Sequence, residues 1–129
     1  MAKVIFAVPP INSPKGYAQC TQNRQYQYFK DPTFIYPVIP AIFISMILSK
    51  VGNEVMWVDC VAEELGDLEF ANLLLQTKPD FLVFEANTML IHRYAEIING
   101  IKTNIPDIKI ILCGEHVTAC AEETKKLVK

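Results

Sequence analysis

The sequence of 129 residues lacks the features that mark several common classes of protein. It has no run of basic residues and a formal net charge of −2, so it offers no electrostatic footprint for nucleic acid. It has four cysteines, at Cys20, Cys60, Cys113 and Cys120. They form no C-x-x-C pair, and their wide spacing argues against both a zinc knuckle and a disulfide scaffold. We therefore expect a reduced, cytoplasmic protein with no nucleic-acid partner.

A long uninterrupted hydrophobic run is also missing. The most apolar stretch, Phe34 to Leu48, contains Pro37 and Pro40 and is shorter than the ~20 residues that span a bilayer. A buried core helix explains this stretch better than membrane contact does. We expect no membrane span.

The first hydrophobic stretch of the chain is the one around which the other predicted elements are arranged. Val4 to Val8 is an unbroken apolar run, too short for a helix and rich in β-branched and aromatic residues. Such a run is typical of a strand buried on both faces of a parallel sheet. Pro9 and Pro10 end it, because proline cannot donate a hydrogen bond to a neighbouring strand. Ligands of open parallel sheets bind beyond the carboxyl ends of the strands, so the residues after Val8 are candidates for a site.

Strand and helix patterns then alternate along the chain. The pattern predicts a flavodoxin-like (Rossmann-like) α/β fold, a doubly wound parallel sheet with helices on both faces and the first strand between the second and third. The pattern stops after a fourth helix, and we expect a fragment of a longer protein. The predicted later strands are Glu54–Val58, Phe81–Phe84 and Ile108–Leu112, and the helices are Val38–Lys50, Asp67–Thr77, a third ending at Pro106, and Thr118–Val128.

Two helices have a predicted buried face. In the second, this face consists of Leu68, Ala71, Leu74 and Leu75. In the third, Thr88 is a candidate N-cap, and His92 lies on the solvent face. The apolar face of this third helix is Leu90, Tyr94, Ile97, Ile98, Ile101 and Ile105.

The segment from Ile11 to Tyr36 has no helical period and is rich in tyrosine and glutamine. Loops of this length are usually functional or disordered, and disordered chains are poor in aromatic residues. We expect a loop that folds over a ligand or a partner.

Several chemistries can be compared with the loops that should converge at the carboxyl edge. Pro9 and Pro10 remove the backbone donors that a phosphate-binding loop needs. The sequence has no G-x-G-x-x-G fingerprint of a dinucleotide-binding loop, and it has no acidic pair after the first strand, which a phosphoacceptor site would need. Without those glycines, the case for Asp59 as a ribose-binding residue is weak. Two minor alternatives stay open: a nucleophilic Cys113 with His116 as base, and a metal site of Asp59, Glu85 and His116.

Five stretches of the chain resemble, in order, the cobalamin-binding N-terminal domain of cobalamin-dependent radical SAM enzymes. The resemblance covers nearly the whole chain. It is carried by V-I-F-A-V-P-P, Y-P-V-I-P, V-G-N-E-V-M-W-V-D, K-P-D-F-L-V-F followed by Thr88, and G-E-H-V-T.

The resemblance implies that cobalamin is held across the strand ends, with its nucleotide tail in a slot between sheet and helices. Cobalamin-dependent mutases and methionine synthase carry D-x-H-x-x-G after strand one, whereas this chain has Pro9-Pro10-Ile11-Asn12 and therefore resembles the group without a histidine ligand below cobalt. The family's C-terminal half carries C-x-x-x-C-x-x-C for an iron–sulfur cluster and S-adenosylmethionine. That motif is absent from this sequence.

The resemblance also implies site residues, all of them binding and none catalytic. Thr88 matches the family's threonine after strand three, Gly114 and His116 match its G-G-P-H turn, and Asp59 matches its acid after strand two. Glu85 stands where the family has serine and Cys113 where it has glycine, which implies a different tail or a reduced affinity for cobalamin. The candidate cofactor-binding residues are Pro9, Pro10, Tyr36, Asp59, Glu85, Thr88, Gly114 and His116.

The function that the resemblance implies is the cobalamin-binding module of a radical SAM enzyme, a methyltransferase or a related anaerobic iron–sulfur oxidoreductase. The module would not be catalytic alone, and its partner would be a C-terminal radical SAM domain. Two alternatives stay open: an interaction or sensory domain on the same scaffold that has lost its ligand, and a flavin- or nucleotide-binding relative of flavodoxin.

Overall fold

The computed structural model describes residues 1–20, 26–31, 45–46 and 48–128. Residues 45–46 and 48–50 are helical, and the rest of the predicted helix Val38–Lys50 lies outside the described residues, as does Tyr36. The strands are β1 (Lys3–Val8), β2 (Tyr17–Cys20), β3 (Tyr26–Phe29), β4 (Glu54–Asp59), β5 (Phe81–Glu85) and β6 (Lys109–Cys113). The helices are α1 (Asp67–Thr77), a 3-10 turn (Thr88–Leu90), α2 (Ile91–Asn104), α3 (Glu115–Ala119) and α4 (Ala121–Leu127).

A four-stranded parallel sheet forms the centre of the molecule, with the order β4-β1-β5-β6. Within this sheet β1 lies between β4 and β5, the next two sheet strands along the chain, as the α/β flavodoxin-like prediction requires. Val8 lies opposite Asp59, and Glu85 lies opposite Cys113, so the carboxyl ends of all four strands share one edge. The predicted fold class is confirmed.

Alternate residues of the strands feed two hydrophobic clusters, one on each face of the sheet. Phe84 belongs to the larger cluster, where its ring centroid lies 6.3 Å from that of Phe70 in α1 and 5.9 Å from that of Tyr94 in α2. The smaller cluster on the other face contains Phe6, with Leu48 packed against it. Helical segments therefore pack on both faces, which explains why the central strands have continuous apolar runs.

The bounds of α1 agree with the sequence pattern, but its predicted buried face is wrong in part. Phe70 and Leu74 are the buried residues of this helix, whereas Leu68 is 70% exposed and Leu75 is 48% exposed. Phe70 and Leu74 are four residues apart, so they lie above one another on the side that meets the sheet. Leu68 and Leu75 are seven residues apart, so they share the face of the helix that points away from that stripe. For α2, the prediction of the apolar face and of an exposed His92 is confirmed.

The predicted last helix, Thr118–Val128, is two short helices instead. They meet at Cys120, whose φ of −128° and ψ of 41° are not helical. The hydroxyls of Thr118 and Thr124 donate to the carbonyls of Gly114 and Cys120, four residues earlier. Such back-bonding competes with the helical hydrogen bonds and bends a helix, which a hydrophobic pattern does not register.

The segment predicted as a long loop contains an antiparallel hairpin. β2 pairs with β3, and Tyr17 lies opposite Phe29. Aromatic residues favour strands, but tyrosine alternates with glutamine over only four residues at β3, which is too short a run to distinguish a strand from a loop. Gly16 precedes the hairpin with a φ of +124°, and a Cβ there would clash with the carbonyl oxygen of Phe29. Glycine allows the chain to enter the hairpin at this point.

Hydrogen bonds fasten the start of β1 to the neighbouring connections at the amino edge of the sheet. The backbone N–H of Ala2 donates to Asn53 Oδ1 at 3.1 Å, and that of Lys3 donates to Asp80 Oδ2 at 2.7 Å. In return, Glu54 N donates to the Ala2 carbonyl and Asp80 N to the Lys3 carbonyl. Reciprocal hydrogen bonds therefore fix the start of β1 to the connections that precede β4 and β5. Within the described part of the chain, no helix is long and apolar enough to cross a bilayer.

Candidate functional site

The carboxyl edge of the sheet contains the point where the strand order reverses. From β1 the chain moves to β4 on one side, and then returns across β1 to β5 on the other side. The loops after β1 and β5 therefore diverge, and in open α/β sheets the crevice between such loops is where ligands bind. Pro9 and Pro10 follow β1, Glu85 is the last residue of β5, and Thr88 begins the 3-10 turn that follows it.

Pro9 and Pro10 form a tight turn after β1. Pro9 is fully buried, and its carbonyl accepts a hydrogen bond from the N–H of Ile11 at 2.8 Å. The carbonyl of Pro10 accepts one from Arg93 Nη2 at 3.0 Å, which ties this loop to α2. The loop presents acceptors to its surroundings, consistent with the exclusion of a phosphate-binding loop.

Asp59 closes its own loop at the end of β4. Its Oδ1 accepts hydrogen bonds from the N–H groups of Val61 at 3.1 Å and Ala62 at 3.0 Å. Cys60 is fully buried beneath this turn, and burial, followed by the charge of Asp59, raises the pKa of its thiol. The carboxylate of Asp59 therefore stabilises the first turn of the loop between β4 and α1.

Glu85 and Gly114 meet where the loop after β5 contacts the turn after β6. The N–H of Ala86 donates to the carbonyl of Cys113 at 2.8 Å. Gly114 has a φ of +106°, and a Cβ there would lie 2.9 Å from the carbonyl oxygen of Ala86 and 3.2 Å from Glu85 Cγ. Glycine at this position therefore serves the close approach of two loops. The hydroxyl of Tyr94 donates to the Glu85 carbonyl at 2.9 Å and anchors the same loop to α2.

Thr88 and His116, from two different loops, form a pair. His116 Nδ1 lies at hydrogen-bonding distance, 3.1 Å, from Thr88 Oγ1. His116 is only 7% exposed, and its buried Nε2 has no hydrogen-bond partner among the described residues, whereas Thr88 is exposed at the rim. Thr88 is not the helix cap that the sequence suggested: Asn87 Oδ1 fills that role by accepting the N–H of Met89 at 3.1 Å.

The two minor alternatives are not assembled. Cys113 Sγ donates to the Phe84 carbonyl at 3.3 Å, and burial, followed by the charge of Glu85, raises the pKa of the thiol. A raised pKa is the opposite of what a nucleophilic cysteine with His116 as base requires. Nor do the described residues contain any group of three or more histidine, cysteine or acidic side chains that could hold a metal ion, so Asp59, Glu85 and His116 do not form one.

Beside Pro10 lies an open cleft of about 620 Å³ that the sequence did not reveal. Arg93 Nη2 lies 2.6 Å from Asp67 Oδ1, and the hydroxyl of Tyr17 donates to Glu64 Oε1 at 3.3 Å. Arg93 is one of only two arginines in the chain and stands in the first turn of α2, which is the signal that could have drawn attention to it. The cleft is lined by Pro10, Asn12, Ser13, Gly16, Tyr17, Glu64, Leu65, Gly66, Asp67 and Arg93.

The structure thus divides the candidate residues into groups at one edge. Thr88 pairs with His116, and Glu85 lies against Gly114. Pro10 opens onto the Arg93 cleft, and Asp59 stabilises the loop on the far side of it. The fold and this edge define an α/β domain with a candidate ligand site at the carboxyl ends of its strands. No protein-family model matches the chain, and neither a curated protein nor a solved structure matches it.

Proposed function

We propose that this chain is the cobalamin-binding module of a radical SAM enzyme, of the methyltransferase type or a related iron–sulfur oxidoreductase. The observation that carries the proposal is the Thr88–His116 pair, because it joins two separate loops at the edge where ligands of such sheets bind. The sequence resemblance implies cofactor binding for both residues.

The groups at this edge fit cobalamin in kind. Corrin side chains are acetamides and propionamides, which both donate and accept hydrogen bonds. The edge offers the exposed Thr88 hydroxyl, which His116 Nδ1 holds at 3.1 Å, and the Pro10 loop.

The chain's own part in this function is to bind and orient the cofactor. When bound, cobalamin supplies the chemistry of methyl transfer through its cobalt. S-adenosylmethionine and the iron–sulfur cluster belong to a C-terminal radical SAM domain, which is the proposed partner, in a cytoplasmic protein. Thr88 and His116 would bind the cofactor, and neither would act as a general acid or base.

Retention of cobalamin tests the proposal. The purified chain is mixed with hydroxocobalamin and passed over a gel-filtration column, and the visible spectrum of the protein peak is recorded. We expect retained corrin absorbance that decreases at least several-fold in Thr88→Ala and His116→Ala. Asp107→Asn, on the exposed opposite edge, should retain as much as the wild type. A protein peak without corrin, or equal loss in the control variant, contradicts the proposal.

A second candidate function is an interaction or sensory domain that has lost its ligand. It is favoured by the packing beneath the loops after β1 and β5, where Ile11, Ala86 and Tyr94 are each at most 2% exposed. These side chains fill the space between sheet and helices near the reversal of strand order. Absence of corrin retention, together with absence of C-x-x-x-C-x-x-C from any sequence beyond Lys129, would select this candidate over the first.

A further inference from the structure

The Arg93 cleft has two walls that come from separate parts of the chain. One wall is the loop after β1 with the start of the hairpin, and the other is the loop between β4 and α1. Pro10 belongs to both this cleft and the loop at the strand reversal, so the cleft adjoins the edge proposed to hold the corrin. The inference that follows therefore rests on the proposed function.

The charges in this cleft are unequal. Arg93 is the only cation among the described residues that line it, and its guanidinium is already engaged by the Pro10 carbonyl at 3.0 Å and by Asp67 at 2.6 Å. Glu64 adds a second carboxylate to that of Asp67. Arg93 offsets the charge of Asp67 and also contacts Glu96 through Nη1 at 3.4 Å, so the uncompensated charge among the described lining residues is the carboxylate of Glu64.

Glu64 is fixed toward the cleft by its surroundings. Its backbone φ of 54° lies in the left-handed region, which is uncommon for a residue with a side chain. The hydroxyl of Tyr17 donates to its Oε1 from the opposite wall, so the carboxylate spans the cleft. The other carboxylate oxygen accepts no hydrogen bond from the described residues, since the Tyr17 contact is the one side-chain bond of Glu64.

A carboxamide suits this cleft, and a carboxylate does not. The amide N–H groups of a ligand can donate to Glu64, and its carbonyl can accept from the side-chain amide of Asn12, whose Oδ1 is occupied by the N–H of Ala18. A ligand carboxylate would meet the uncompensated charge of Glu64 instead. Corrins exist with both kinds of side chain, because their peripheral carboxyl groups are converted to amides during synthesis.

We propose that Glu64 makes this cleft selective for corrins with amidated side chains over corrins with free carboxylates. Glu64 is then a specificity-determining residue of the site. Repulsion between a ligand carboxylate and the exposed Glu64 carboxylate should weaken binding about fivefold. Because this carboxylate is near the surface, added salt should reduce the effect.

Titration of the chain with cobinamide and with cobyrinic acid, followed by visible absorbance, tests this selectivity. Cobinamide has the amides without the nucleotide tail, and cobyrinic acid has carboxylates in their place. We expect the wild type to bind cobinamide about fivefold more tightly than cobyrinic acid, measured as the ratio of the two dissociation constants. Glu64→Gln, which retains an acceptor for Tyr17, should bring this ratio close to one by strengthening the binding of cobyrinic acid. Glu63→Gln removes the same charge from an exposed neighbour outside the cleft and should leave the ratio unchanged.

The outcomes separate the two proposals. A chain that retains neither cobalamin nor cobinamide overturns the proposed function and this inference with it. A chain that retains cobalamin but binds the two corrins equally, or whose ratio is the same in Glu64→Gln, overturns the inference alone. An equal change in Glu63→Gln also overturns it, because the effect would then be one of net charge.

Discussion

Gly114 is the residue at which the backbone itself constrains the candidate site. Its φ of +106° is unfavourable for any residue with a side chain, and a Cβ would lie 2.9 Å from the Ala86 carbonyl oxygen. We expect Gly114→Ala to lower the free energy of unfolding by about 1–3 kcal/mol, because it adds both strain and a backbone clash. Urea denaturation followed by circular dichroism measures the change.

Gly100 provides the matched control for this substitution. It lies within α2, and a Cβ there would have no heavy atom within 4 Å. Gly100→Ala should therefore raise stability by roughly 0.5–1 kcal/mol, because alanine has the higher helix propensity. Equal effects of the two substitutions would show that the loop at Gly114 adjusts without strain.

At the residue scale, the sequence predicted positions better than partners. His116 and Thr88 were selected as site residues, but their mutual contact joins residues 28 positions apart and depends on how two loops end. The role of Arg93 was missed for the same reason. Its partners, Pro10 and Asp67, come from the loop after β1 and the start of α1, and no local pattern in the chain indicates that these meet.

Helix α1 shows how much an element's pattern determines. Its bounds, Asp67–Thr77, follow from local signals, but its orientation follows from which side chains best fill the space over the sheet. Phe70 contacts Phe84 there, and a large aromatic ring outweighs the more numerous leucines. For the hairpin of β2 and β3, short runs of four residues each gave too little alternation to be distinguished from a loop.

Two identical substitutions within α1 test this orientation. Leu74 is fully buried, so Leu74→Ala should cost about 2–5 kcal/mol of stability through lost burial and a cavity. Leu68 is 70% exposed, so Leu68→Ala should cost no more than about 0.5 kcal/mol. Thermal or urea unfolding of the two variants side by side gives both values. Comparable losses would mean that α1 is rotated relative to the described packing.

At the scale of the whole molecule, the two sheets should differ in local stability. The central strands β1 and β5 each pair on both sides and are buried, whereas β2 pairs with β3 in a sheet of two strands. Two-stranded hairpins are marginally stable in water, and among the hairpin side chains that the structure describes only Ala18 belongs to the hydrophobic core.

Hydrogen exchange followed by mass spectrometry measures that difference. We expect the amides of β1 and β5 to exchange only on global unfolding, and those of β2 and β3 to exchange through local opening at a much lower free energy. Addition of hydroxocobalamin should slow exchange in the hairpin more than in the sheet, because the Arg93 cleft lies between hairpin and α1. Hairpin amides protected as long as those of β1 would contradict this division.

The reciprocal hydrogen bonds at the amino edge affect how the sequences of related proteins could diverge. They join Ala2, Lys3, Asn53 and Asp80. Changes there disturb the register of the sheet, whereas the loops at the opposite edge carry the chemistry and can change without altering the strands. Descendants of a common ancestor would keep the first set of residues while acquiring new ligands through the second. The residues that maintain the architecture and the residues that determine ligand specificity would thus lie at opposite ends of the same four strands.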